Sequence, residues 1–205
     1  MNNSFYDVAG SSRIIELREV TMEDSRFIYN YANNPTVTKY TIWNRPKNME
    51  ETKRVIQEWI INANKFPRTR YDLAIVYENN IIGTGRISID NLVEQQGSIG
   101  YLVDANYWGK GIATITAKML VSFGMDYLKL NRINAKCRTQ NIASQKILDS
   151  AGFSLNGVVK KDLFIKGKFY DAIHFGITNK QYEIFKENFS VLDMKWSFRQ
   201  KMNLY

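Results

Sequence analysis

Cysteine and histidine are almost missing from this chain, with one of each among 205 residues. A single cysteine, Cys137, excludes an internal disulfide framework and fits a reducing cytoplasm. The single histidine, His174, has no Cys or His cluster around it in the sequence, so no metal site is expected. No apolar run approaches the ~18 residues of a membrane span. Residues 1–12 are polar and lack the apolar core of a signal peptide. Repeats, low-complexity tracts and linkers are absent as well. These absences point to a cytoplasmic chain with no membrane partner.

What is present suits one packed domain. Hydrophobic residues make up 44% and aromatics 13%, enough for a sizeable core. The formal net charge is +8, which favours anionic partners. The basic residues are scattered rather than clustered, the pattern of a solvated surface. No RNA-binding motif accompanies them, so no specific nucleic-acid partner is expected.

The periodicities alternate between strand and helix. Ile14 to Val20 reads as a strand. Thr21-Met22-Glu23-Asp24 caps a helix with Phe27, Ile28 and Tyr31 on one face, ended by Asn33-Asn34-Pro35. Val37 to Trp43 is an aromatic connector. Asn48 with Glu51 starts a second helix that buries Val55, Ile56, Trp59 and Ile60, and Pro67 lies past its end. Tyr71 to Tyr77 and Ile81 to Ile89 pair as a hairpin about Asn79-Asn80. Gly97 to Val103 is the next strand. A helix follows over Ile112 to Leu128, with a stripe of Ile112, Ile115, Met119, Phe123 and Tyr127. Ile133, Ala135 and Cys137 alternate with polar neighbours, which makes Cys137 a small core residue. A helix then stops at Ala151-Gly152. A long hairpin turns at Gly167-Lys168, and Thr178 with Gln181 caps a last helix bearing Tyr182, Phe185 and Phe189. The order implies an α/β (α+β) chain: one domain, with a central mixed, mostly antiparallel sheet flanked by helices. The expected divisions are a polar arm over 1–13, the domain over 14–189 and a basic, aromatic tail over 190–205. Met194, Trp196 and Phe198 in that tail suggest docking, and with it a homodimer.

The stretch Tyr107-Trp108-Gly109-Lys110-Gly111-Ile112-Ala113-Thr114 joins a strand to a helix. Glycines there allow close backbone approach, and the helix start offers free N–H groups to an anion. The spacing fits neither G-x-G-x-x-G nor G-x-x-x-x-G-K-[ST]. It resembles the acyl-CoA pyrophosphate loop of the GNAT N-acetyltransferases, Gln/Arg-x-x-Gly-x-Gly/Ala, with Trp108, Gly111 and Ala113 on those places. Trp108 replaces the usual Gln/Arg, a form similar to the branch of ribosomal-protein N-acetyltransferases. Asn141-Ile142-Ala143-Ser144, closing at Gly152-Phe153, resembles a second motif of that branch. The element order is also that of the family, over about residues 14–182.

The resemblance implies a GNAT-like twisted sheet whose strands splay at the acyl-CoA site, with acetyl-CoA as cosubstrate. It implies a primary amine as acceptor, either a protein N-terminus or a small molecule, and direct transfer in a ternary complex. Gly109, Lys110, Gly111, Ile112, Ala113 and Thr114 would hold the pyrophosphate, with Leu102 and Val103 offering strand amides to the oxyanion or the pantetheine arm. Asn141 would contact that arm, although an asparagine there is also an ordinary helix cap. Ser144 would give a proton or hydrogen bond to the departing thiolate. Many relatives carry Glu where Ser98 stands, and Ser98 cannot take a proton at neutral pH. The base is therefore open: a water relay past Ser98, with Asp90, Glu94 and Tyr101 nearby in sequence. Tyr40, Trp43, Arg86, Tyr101 and Tyr170 are candidate acceptor-site walls. His174 is expected to be a hydrogen-bonded structural residue. The alternative reading is a CoA-binding regulatory protein on the same fold.

Overall fold

The computed structural model describes the backbone of residues 5–6, 12–13, 15–188 and 195–197, and the side chains of residues 15–187. In chain order the elements are β1 (Phe5–Tyr6), β2 (Ser12–Arg13), β3 (Ile15–Glu19), α1 (Ser25–Ala32), α2 (Met49–Ala63), β4 (Arg70–Tyr77), β5 (Asn80–Asn91) and β6 (Gln96–Val103). They continue with α3 (Ile112–Ser122), β7 (Arg132–Arg138), α4 (Ile142–Ser150), β8 (Ser154–Ile165), β9 (Lys168–Thr178), α5 (Asn179–Phe185) and β10 (Lys195–Ser197). The sheet runs β10-β3-β4-β5-β6-β7-β9-β8. Only β10/β3 and β6/β7 are parallel neighbours, so the sheet is mixed and mostly antiparallel, as the element order implied.

Local chemistry fixes most boundaries. Glu78 and Asn79 take φ of 49° and 61°, which closes the β4–β5 hairpin with a two-residue turn matched to strand twist. Lys166 and Gly167, at 49° and 81°, do the same between β8 and β9. The Asn48 side chain accepts the Glu51 N–H at 3.0 Å and starts α2. Past α4, Gly152 at φ 85° lets its own N–H reach the Asp149 carbonyl at 3.0 Å, and the Phe153 N–H that of Leu148 at 3.1 Å. Asp24 accepts the Thr21 N–H at 2.8 Å, but the first turn it caps is 3₁₀, over Met22–Asp24, and α1 begins after it.

The sheet separates two layers of helix. One face carries α3, α4 and α5 over Leu73, Ile87, Ile133, Phe175 and Ile177. The other carries α1 and α2, packed through Ile28, Tyr31, Ile56 and Trp59 against Ala74. Among the described residues no helix is long and apolar enough to cross a membrane. Phe27, Val55 and Tyr127, expected inside, are exposed. Phe27 and Val55 each sit one residue before a buried isoleucine, about 100° off the contacting stripe. Tyr127 turns outward because the helix expected to reach Leu128 leaves α geometry after Ser122 for a π turn, Phe123–Tyr127, which breaks the 3.6-residue phase. The backbone of Lys195–Ser197 extends the sheet beside β3 of the same chain, with Trp196 opposite Leu17. The docking expected of the Trp196 side chain, of Met194 and Phe198, and the place of Phe189 on the last helix lie outside the described residues.

α5 is pinned to the π turn through the Tyr182 hydroxyl. The Tyr182 hydroxyl donates to Asp126 Oδ2 at 2.6 Å, and Ser122 and Lys186 also donate to that carboxylate. Burial works against the Asp126 charge, but these donors outweigh it and hold the carboxyl below its ordinary pKa. Its stabilisation is therefore present above the unfolded-state pKa and is lost as pH falls through the lower folded value. Tyr182→Phe should cost about 1 kcal/mol at neutral pH. Melting curves should show that difference from wild type shrinking below about pH 4.

Candidate active site

The loop between β6 and α3 opens outward. Gly109 and Gly111 both take φ of 77°, and nothing lies within 4 Å of where a Cβ would project from either. Gly111 is the N-cap of α3 and supplies no side-chain cap. Among the described residues none of the amides from Gly109 to Thr114 donates to a protein acceptor. The mouth of an eleven-residue helix is thus left with its positive end uncovered, the arrangement that receives a phosphate. Lys110 folds back, its Nζ 5.0 Å over the Tyr107 ring.

β6 and β7 pair over three rungs only, Gln96–Arg132, Gly97–Ile133 and Ser98–Asn134. Beyond Ser98 the two strands part, and residues 99–103 of β6 keep a free edge. Strand alternation decides which groups face it. The Asp104 N–H donates to the Ile82 carbonyl at 2.7 Å, so Leu102, opposite Thr84 and in the same phase, directs its backbone groups to β5. This corrects the expectation that Leu102 offers an amide to the site. Val103 faces the gap, its carbonyl already holding the Trp108 indole N–H at 2.8 Å. Trp108 therefore ties the glycine loop to the strand end, a role the loop pattern did not indicate.

Ser144 and Tyr101 meet on the α4 face of the opening. Their hydroxyls lie 3.2 Å apart, and the Cys137 thiol on β7 lies near the Ser144 hydroxyl. Burial pushes the Tyr101 phenol and the Cys137 thiol upward, with the Ser144 hydroxyl countering both, so each keeps its proton. Tyr101 is thus a partner of Ser144, on the opposite sheet face from Tyr40 and Tyr170, and not a wall beside them. Cys137 is buried, as its alternation implied. Asn141 caps α4, its Oδ1 accepting the Ser144 N–H at 3.2 Å. That bond leaves the Asn141 amide N–H₂ to donate.

The opposite face collects the remaining candidates. Ser98 stands where the strands divide, and its hydroxyl donates to Asp90 Oδ1 at 3.1 Å, so of the neighbouring acids it is Asp90 that is anchored to it. Trp43 packs 6.0 Å from Trp59, centroid to centroid. Arg86 is not free to line a cleft, because its Nε binds Asp72 Oδ1 at 2.6 Å beside Arg70 on the same carboxylate. Asp72 also borders a cavity of about 300 Å³ with Glu19 and Trp59, at the end of α2 remote from the glycine loop. His174 is held structurally, Nε2 lying 2.9 Å from Asp162 Oδ2. Tyr40 and Tyr170 do converge, on a residue the motif analysis passed over. Arg138 lies with its guanidinium carbon 3.5 Å from the Tyr170 centroid and 5.2 Å from that of Tyr40. Its only signal in sequence was its phase, opposite to buried Cys137 on the same strand. Among the described residues no group of three or more potential metal ligands occurs.

Known proteins share this architecture. Residues 15–154 match the acetyltransferase (GNAT) domain family. An uncharacterised N-acetyltransferase p20 of Bacillus licheniformis is 27% identical over 168 residues, covering 82% of this chain and 94% of the relative. The spermidine N-acetyltransferase of Vibrio cholerae, solved with CoA and spermine, superposes with a TM-score of 0.72 at 19% identity, covering 82% of this chain and 98% of that one. RimL, a ribosomal L7/L12 alpha-N-protein acetyltransferase solved with CoA, gives 0.74 at 19% identity, covering 86% and 97%. These two likenesses concern the fold; the family follows from the domain match, which spans most of the chain. The protein belongs to the GNAT family and is an acetyltransferase that uses acetyl-CoA as cosubstrate.

Proposed function

We propose that this protein transfers an acetyl group to a primary amine by direct attack in a ternary complex. The observation that carries this reading is the uncapped mouth of α3 opening beside the free edge of β6. Bound acetyl-CoA supplies an activated acyl carbon and a thiolate leaving group. Every other part of the reaction is then a task for side chains and amides already described.

The Gly109 to Thr114 amides would hold the diphosphate, and the left-handed glycines keep side chains out of its way. The free edge of residues 99–103 would pair with the amides of the pantetheine arm as a further strand would. The Val103 amide is the donor best placed toward the gap, and the Asn141 side-chain amide can reach the same arm. Ser98, hydrogen-bonded to Asp90, would pass the proton of the attacking amine to that carboxylate through water. The nitrogen bonds to the acyl carbon, the carbon–sulfur bond breaks, and the thiolate takes the Ser144 proton. Tyr101, its phenol kept protonated by burial, holds the Ser144 hydroxyl in place, and the proton taken up at Asp90 leaves to solvent while solvent reprotonates Ser144.

Calorimetric titration with acetyl-CoA and then CoA, followed by an amine panel read by thiol release, tests the reading. Saturable coenzyme binding and acetyl-CoA-dependent thiol release are expected; no heat and no thermal stabilisation at millimolar coenzyme would overturn it. Gly111→Ala places a Cβ in the left-handed region at a cost of roughly 1–2 kcal/mol, and CoA affinity should fall about tenfold. Ser144→Ala should lower kcat while leaving the CoA Kd nearly unchanged.

A further inference from the structure

Arg138 and Cys137 are consecutive at the open end of β7 and project to opposite faces. Cys137 lies near Ser144, where the leaving sulfur would lie. Arg138 faces the other side, between Tyr170 and Tyr40. The two groups thus bracket the gap between β6 and β7 from its two faces.

The environment of this guanidinium is unusual within the molecule. Its Nε is buried without a hydrogen-bond partner, and among the described residues no acid pairs with it. Elsewhere the described arginines are satisfied: Arg18 by Asp24, Arg68 by Glu19, Arg70 and Arg86 by Asp72, and Arg132 by Asn134. Arg26, Arg45 and Arg54 are exposed to water. The Tyr170 and Tyr40 rings lie against the Arg138 guanidinium and supply no acceptor to its buried Nε. A fixed, planar fork of donors matches the oxygens of a carboxylate or phosphate.

The surrounding charge points the same way. Asp162 is engaged by Lys136 and His174, Asp171 by Lys160, and Asp72 by its two arginines. Lys39 lies 5.2 Å over the outer tyrosine, Tyr40, and Lys166 donates to the Thr38 carbonyl at 2.8 Å. With Asp162 and Asp72 engaged by cations, the surroundings of Arg138 carry surplus positive charge, and Asp90, which has a hydroxyl rather than a cation for its partner, lies at the Ser98 end of the gap. That surplus repels a polyamine and attracts an oxyanion.

We propose that Arg138, clamped between Tyr40 and Tyr170, binds an anionic group on the acceptor, so that the acceptor is a primary amine bearing a carboxylate or phosphate. This rests on the acetyl-transfer reading for the identity of the cleft, but binding alone can test it. CoA-loaded protein is titrated calorimetrically with matched amines: β-alanine against its amide, phosphoethanolamine against ethanolamine, and spermidine as a polycation. The anionic member should bind about tenfold or more tightly than its neutral partner and than spermidine, the scale of one charge-assisted contact. The pair with the larger ratio distinguishes carboxylate from phosphate. Arg138→Gln should abolish the preference, and Arg138→Lys should restore part of it, because an ammonium keeps the charge and loses the fork. Should Arg138→Gln not fold, Tyr170→Leu, which unclamps the guanidinium, should reduce the preference. The proposal is overturned if spermidine binds as tightly as the anionic amines, if the preference survives Arg138→Gln, if no anionic amine binds at millimolar concentration, or if Arg138→Gln weakens CoA itself. Anion-selective binding without thiol release would leave Arg138 assigned and remove the acetyl-transfer reading. Thiol release without anion selectivity would do the reverse.

Discussion

The parting of β6 from β7 after Ser98 is the constraint on which the site depends. A parallel pair that continued to Val103 would consume every edge amide and leave no slot for an acyl carrier. On the β7 side, side chains rather than a ladder hold the end of β6. The Trp108 indole takes the Val103 carbonyl, and Tyr101 reaches α4 through Ser144. Both contacts compensate backbone or side-chain polarity that the lost pairing would leave unmet. The same Trp108 bond sets the glycine loop against the strand end, so the open edge and the open helix mouth come as one unit.

The sheet then divides the chemistry between its faces. Tyr101, Ser144 and Cys137 gather on the α4 side, where the proposed reaction delivers a proton to sulfur. Ser98, Asp90 and Arg138 lie on the side of α1 and α2, where the proposals place the removal of the amine proton and the recognition of what the amine carries. Period-two alternation is enough to make this separation: one residue along β7 or β6 changes the face and with it the role. The fold neighbours with polyamine and ribosomal-protein acceptors share the sheet, and the side chains on the α1 and α2 side are where acceptor preference can differ.

Close packing behind the site keeps this geometry rigid. A side chain at Gly124 would come within 2.7 Å of the Ile87 methyl, so glycine lets the π turn after α3 lie directly on the sheet without displacing that side chain. Tyr182 closes the same region from α5. The helix α3 is therefore anchored along its far end, which holds the direction of the N–H groups at its open mouth.

What the sequence determined by itself is whatever a few adjacent residues control. The turns at Asn79 and Gly167, the Asn48 and Thr178 caps, the Gly152 stop and the left-handed glycines before α3 each follow from local backbone chemistry, and the element order that follows from them limits the topology. Tertiary structure decided what depends on phase and on distant partners. It turned Phe27 and Val55 outward, directed the Leu102 amide into the sheet, placed Tyr101 with Ser144, gave Arg86 to Asp72 and brought Tyr40, 98 residues before, and Tyr170, 32 residues after, onto Arg138. The physical reason is that a local signal fixes a residue's conformation, whereas its chemical role is fixed by which group from elsewhere in the chain satisfies, or leaves unsatisfied, its polar atoms.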